Sequence, residues 1–196
     1  MTGVAGDDSL PLAVLDANVL YSASIRHLLI ALAVSRAYYA RWTLAIEEEW
    51  VSALLRTRPD LDVRQINRTR ELMALAVPDA LVIGFEQHIA DLQLPDPDDR
   101  HVVAAAIAGR ASHIVTFNRG DFPRSTLSPF GIQVESPDQF INGLIDRDVE
   151  LVVEAARMHR ADLRKPARTP EEYVDSLRSN GLELTASKLV RYLGDL

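Results

Sequence analysis

Apolar and polar positions divide the chain into short elements that alternate between two periods. Residues 12–15 form a brief apolar run ending on an acid, the pattern of a buried strand whose carboxyl end presents Asp16. Residues 25–37 carry apolar positions at helical spacing and predict a helix. Residues 39–42 predict a second short strand, after which Thr43 can cap a helix over 44–56 that Pro59 stops. Further helices are predicted over 63–76 and 86–92, with a strand at 80–83 between them. Pro95-Asp96-Pro97-Asp98-Asp99 cannot be helical until its prolines have passed, so a helix starts at Asp98 or Asp99 and ends near Gly109. Residues 113–117 and 132–134 read as the last strands, with a turn at Asn118-Arg119-Gly120.

Strands alternating with helices imply an α/β fold, a mostly parallel central sheet with helices on both faces. Residues 137–196 change character, with no strand candidates and three helical patterns separated at 165–170 and at Asn180-Gly181. The expected organisation is a flexible N-terminus over 1–11, an α/β domain over 12–136 and an α-helical C-terminal extension over 137–196.

Composition adds limits. With 196 residues, 47% of them hydrophobic, the chain can bury one good core. It has no cysteine, so any metal must be held by oxygen or imidazole. No apolar run reaches the ~18 residues of a membrane helix, and the start carries Asp7 and Asp8 with no basic region. The expectation is a cytoplasmic protein without membrane contact. A net charge of −7 speaks against a nucleic-acid ligand, but distribution matters more than the sum. Arg157, Arg160, Arg164, Lys165 and Arg168 gather against the single acid Asp162. This stretch reads equally as a phosphate contact and as a solvated helix face.

In open α/β sheets the ligand site lies beyond the carboxyl ends of the strands, where Asp16 and Asn118 both fall. The loop before the helix at 101–109 adds Asp96, Asp98 and Asp99. One helix cap needs one acid, and three stand here in four residues. Carboxylates sharing a crevice repel each other unless cations sit among them, and the natural cation is Mg²⁺ or Mn²⁺. Within Glu47-Glu48-Glu49, Glu49 sits at the edge of the face defined by Ile46, Trp50, Ala53 and Leu54, and can reach a crevice; the other reading leaves all three in water. Either Glu48 or Glu49 could be the ligand.

These residues resemble, in order, the acidic motifs of PIN domains, especially the toxin ribonucleases called VapC. They are Asp16 in Leu-Asp-Ala-Asn-Val-Leu, Glu49 in Glu-Glu-Glu-Trp-Val-Ser-Ala-Leu-Leu, Asp96 and Asp99 in Leu-Pro-Asp-Pro-Asp-Asp-Arg-His-Val-Val, and Asn118 with Asp121 in Val-Thr-Phe-Asn-Arg-Gly-Asp-Phe-Pro. The helical tail looks like the extension of a subgroup of longer VapC toxins. The resemblance implies a PIN-like sheet and a metal-dependent endoribonuclease in which Asp16, Glu49, Asp96 and Asp99 ligate Mg²⁺ or Mn²⁺. Asn118 and Asp121 complete the catalytic set. It also implies an RNA substrate, a cognate antitoxin protein, as in a VapBC-type toxin–antitoxin pair, and a homodimer. One departure is Asn118, where many relatives carry an acid; an amide is a weaker, neutral ligand.

Arg100 and Arg119 could hold the RNA backbone, although a surface charge is the commoner role for each. His101, in the first turn of a helix, reads as a bystander, and Thr116 as an orienter of Asp16 or Asn118. Two rival chemistries present a strand-end Asp: an aspartyl-phosphate phosphatase, and a phospho-acceptor signalling domain. The phosphatase needs a second acid where Asn18 stands. Both need a site lysine, and the chain has none before Lys165. The remaining alternative is a non-catalytic PIN-like module that binds RNA or protein through a decayed metal site, with Asn118 as its support.

Overall fold

The structure is a computed structural model and describes residues 10–163 and 166–196. At its centre lie four parallel strands, β1 (Leu12–Leu15), β2 (Tyr39–Arg41), β3 (His113–Val115) and β4 (Gln133–Glu135), in the order β2-β1-β3-β4. Successive side chains of a strand point to opposite faces, and Ala13, Val14 and Leu15 are all fully buried. Both faces of the sheet are therefore covered, which is why β1 reads as a continuous apolar run.

The helices follow from caps and breakers. Asp16 leads into α1 (Ala17–Tyr21), and α2 (Ala23–Val34) follows after Ser22. The helix expected over 25–37 is α2, which starts two residues earlier and ends at Val34, before Arg36 turns to φ 60°; the short α1 precedes the expected range. Thr43 caps α3 (Leu44–Thr57), accepting from the Ile46 amide at 3.1 Å, and Asp62 caps α4 (Val63–Ala76). The strand expected at 80–83 is only an isolated parallel bridge between Trp42 and Leu81, cut short between Pro78 and Gly84, whose φ is +70°. The helix expected at 86–92 is a single 3-10 turn, Glu86–His88. A second such turn, Pro97–Asp99, runs into α5 (Arg100–Ala108), which packs across β1 and β3.

After β3 come a 3-10 turn (Arg119–Asp121) and the short α6 (Arg124–Leu127). The C-terminal helices are α7 (Pro137–Arg147), α8 (Val149–Asp162), α9 (Pro170–Ser179) and α10 (Glu183–Leu189). Where sequence pattern suggested one helix, Asp148 (φ −152°) ends α7 and caps α8 through the Leu151 amide. These helices share the core of the sheet. Helix α8 packs on α2, and Phe140 sets its ring edge-on to Tyr38 at 4.9 Å.

Two expectations meet the edge of the described residues. Of the N-terminus at 1–11, residues 1–9 lie outside them, and the Pro11 carbonyl already accepts from the Tyr39 amide at 2.8 Å. Within the basic stretch, Arg164 and Lys165 also lie outside. Arg160 instead binds backbone, donating to the carbonyls of Leu196 and Arg168, and Arg157 pairs with Glu154.

Candidate active site

The strand order places a switch point between β1 and β3: from β1 the chain moves first to one side, to β2, and then to the other. The crevice of an open α/β sheet forms at that point, beyond the carboxyl ends. Leu15 pairs with Val115, so Asp16 and Thr116 leave the sheet side by side, tied by the Asp16 amide to the Val115 carbonyl at 3.1 Å.

Asp16 is buried, at 4% exposure, and its carboxylate is fixed at both oxygens. Oδ1 accepts from the Ala17 amide at 2.6 Å. Oδ2 accepts from the Thr116 hydroxyl and from the Asn18 side-chain amide, each at 2.7 Å. The Thr116 hydroxyl in turn accepts from Asn18 Nδ2 at 2.9 Å and from the Asn118 amide at 3.0 Å, the orienting role expected of it. Asn18 also accepts, through Oδ1, from the Phe117 amide at 3.1 Å, and so ties the two strand ends together. Burial pushes the Asp16 carboxyl above its ordinary value, against the hydrogen bonds from Thr116 and Ala17; the charge of Glu49 adds to the push.

The acidic loop arrives from the other side. Asp96 is the residue that caps the turn, accepting from the Asp98 amide at 2.9 Å, while Asp98 is exposed. Capping is thereby taken, and Asp99 is left to face the site. Its Oδ2 is buried and has no hydrogen-bond partner among the described residues. Burial and then the charges of Asp16, Asp96, Asp121 and Glu49 push its pKa up to about 6. The acids singled out from sequence therefore act on one carboxyl. Among the described residues, however, no three His, Asp or Glu side chains are gathered closely enough to hold an ion as they stand.

Of the three consecutive glutamates, Glu49 reaches this group: its Oε2 lies 3.4 Å from His101 Nε2. His101 donates through Nδ1 to the Asp98 carbonyl at 2.7 Å. Burial alone would lower its pKa, but the Glu49 carboxylate, the Asp98 carbonyl and Asp16 outweigh that and raise it. His101 is thus part of the electrostatics of the site. Glu47 corrects the expectation of solvated glutamates, because it is buried, accepts from the Trp42 indole at 2.8 Å and pairs with Arg70 at 2.7 Å. Asn118 donates its side-chain amide to Asp121 Oδ2, and Arg119 donates to Gln139 Oε1 at 3.0 Å. Arg100 is partly buried, with an Nε that has no partner among the described residues.

The donor set suits a hard divalent cation. All of these carboxylates offer oxygen, the Asp99 carboxyl is pushed up by burial and by the four acids around it, and its buried Oδ2 lacks a partner among the described residues. Asn18 and His101 are the members that sequence reasoning passed over. The place of Asn18 two residues after the strand-end acid was the only local signal.

A family model described as PIN domain matches residues 13–120, and another, described as VapC50 C-terminal domain, matches residues 137–191. The chain is similar to "Putative ribonuclease VapC50" of Mycobacterium tuberculosis, with 38% identity over 99 residues that cover 50% of this chain. The match spans 57% of the relative's length. No solved structure matches. Among the described residues no helix is long and apolar enough to cross a membrane. The first model covers more than half of the chain, and with Asp16, Asp99 and Asn118 set around the β1–β3 switch point this protein belongs to the PIN-domain family.

Proposed function

We propose that the protein is an endoribonuclease that cuts RNA phosphodiester bonds with a divalent metal, Mg²⁺ or Mn²⁺, and serves as the toxin of a VapBC-type pair. The observation that carries this is Asp99: a half-buried carboxyl at the switch point, with one partnerless oxygen and four other carboxylates acting on it. Asp16, Glu49 and Asp99 would hold the metal, with Asp96 and Asp121 beside them. Bound there, the ion would lower the pKa of the attacking water and offset charge on the phosphate.

The chain's own groups supply the rest. Thr116, Asn18 and the Ala17 amide hold the Asp16 carboxylate in one orientation. Asn118, anchored to Asp121, presents a neutral amide oxygen that can accept from water. His101, when protonated, would stand 3.4 Å from the Glu49 carboxylate and limit the repulsion among the acids. The C-terminal match and the named relative support the toxin reading, in which a small antitoxin masks the site, the chain dimerises and the protein works in the cytoplasm.

The test is cleavage of RNA by the purified full chain in Mn²⁺ or Mg²⁺. Activity should require the ion and vanish in Asp16→Asn and Asp99→Asn. Equal residual cleavage by wild type and variants would overturn the proposal in favour of a non-catalytic binding module.

A further inference from the structure

The turn that carries Asn118 and Asp121 has a second side. Arg119 and the following Phe122 line a cleft of about 590 Å³, which continues over Arg124, Ser128, Gln133 and Val134. Ligand pockets typically span about 300–1,000 Å³, and this one is in the range for a nucleotide. Among the described residues two guanidinium groups and no carboxylate line it, although the chain as a whole carries −7. Arg124 is exposed and makes no ion pair among the described residues. Among the described residues Arg119 hydrogen-bonds only the neutral Gln139 Oε1, so its charge is not cancelled there.

The wall of the cleft also offers hydrogen bonds. Strand β4 is outermost, and in a parallel pair alternate residues turn their amides toward the neighbour. The Gln133 amide donates to Ser112, and the Glu135 carbonyl accepts from Thr116, so both residues face β3. Val134 between them turns its N–H and C=O to the open edge, where its residue lines the cleft. On the same loop, between Thr116 and Asn118, Phe117 is 47% exposed while its amide is fixed by Asn18. An exposed ring with a fixed backbone is a platform on which a base can stack.

From this arrangement we infer that a nucleotide of single-stranded RNA, flanking the bond to be cut, seats in the cleft between α6 and the β4 edge. Arg119 and Arg124 bind its phosphates, and Phe117, two residues before Arg119 in the chain, stacks a neighbouring base. The inference rests on the nuclease reading and adds where the strand runs. Single-stranded RNA fits because a splayed base can enter a cleft of this size, whereas bases paired in an A-form duplex cannot.

The test uses the full chain carrying Asp16→Asn, so that RNA is not consumed, and reads binding of a short labelled single-stranded RNA by anisotropy across a salt series. Adding Arg119→Ala and Arg124→Ala should weaken binding about tenfold and flatten the salt slope by about 0.7 per lost phosphate contact. Arg124→Lys should recover part of the affinity, because a point charge still serves a phosphate. Both arginines lie at the surface, so the thermal midpoint should stay put. Unchanged affinity and slope in the double alanine variant would overturn the inference, as would absence of RNA binding. Cleavage by the unsubstituted protein reports separately on the nuclease reading, which stands if cleavage occurs while the arginine variants bind normally.

Discussion

Replacing Thr116 with valine removes one hydroxyl from a wholly buried position and leaves the shape almost unchanged. Three hydrogen bonds go: one to Asp16 Oδ2 at 2.7 Å, one from Asn18 at 2.9 Å and one from the Asn118 amide at 3.0 Å. Only the first is a full loss. Asn18 keeps its bond to Asp16, and Asn118 is exposed, so its amide can turn to water. A hydrogen bond to a charged group contributes about 1.5–3 kcal/mol, and the added methyl returns up to ~0.8 kcal/mol. The expected loss of stability is about 1–2 kcal/mol, read from urea unfolding at neutral pH. Cleavage should fall further, roughly 10–100-fold, as when groups behind metal ligands are removed. The Thr116 bond opposes the upward push of burial on Asp16, so its loss should also move the acid limb of the rate profile to higher pH. Thr116→Ser should restore both. A valine variant with the wild-type rate and an unmoved acid limb would refute the positioning role, and a loss above ~4 kcal/mol would point to packing instead.

Two further outcomes follow from the same chemistry. Asp99 has its folded pKa raised from 3.8 to about 6, so the folded state binds more protons than the unfolded one between those values, and metal-free stability should fall as pH rises through that window. Asp99→Asn should flatten this fall, measured as the difference between wild-type and variant melts in chelator; parallel pH curves would remove the electrostatic account. Arg160→Ala should lower stability by about 1–2 kcal/mol, through its lost bonds to the Leu196 and Arg168 carbonyls, with RNA binding in low salt unchanged. A drop in RNA affinity at constant stability would return Arg160 to the phosphate reading.

What sequence pattern could show depended on the range of the cause. Helix α4 runs over the residues its periodicity predicts, because Asp62 caps it and the cap is local. Asp16 at the end of a buried strand was legible for a similar reason: an apolar run followed by an acid fixes both burial and the strand end. The 80–83 segment carried strand-like residues, but a ladder needs a partner of matching length, and only Trp42 is available there. Asn18 was read only for a chemistry that it excludes, since its role depends on Thr116, 98 residues away in the chain. Glu47 looked like part of a solvated run because its partner, Arg70, stands on another helix. Thr116 could be read as an orienter, because a hydroxyl one residue past a strand end has few other groups within reach.

The C-terminal helices meet the site at the first turn of α7. Ser136 and Gln139 cap α7 reciprocally, and the same Gln139 Oε1 that accepts from the Ser136 amide at 3.2 Å also accepts from Arg119. One oxygen thus sets both the start of the helix and the direction of a guanidinium beside the acidic loop. Immediately before it, the Glu135 carbonyl holds the Thr116 amide, and immediately after it Phe140 packs on Tyr38 and His113. The start of α7 is thus bonded both to Thr116, which orients Asp16, and to Arg119, which lines the cleft. The charge division has the same origin. Acids gather where the strand ends converge, arginines stand one turn away on the β4 side, and α7 fixes the step between them. On a chain of −7, the cleft with its two arginines offers a polyanion a local positive patch next to the acidic crevice.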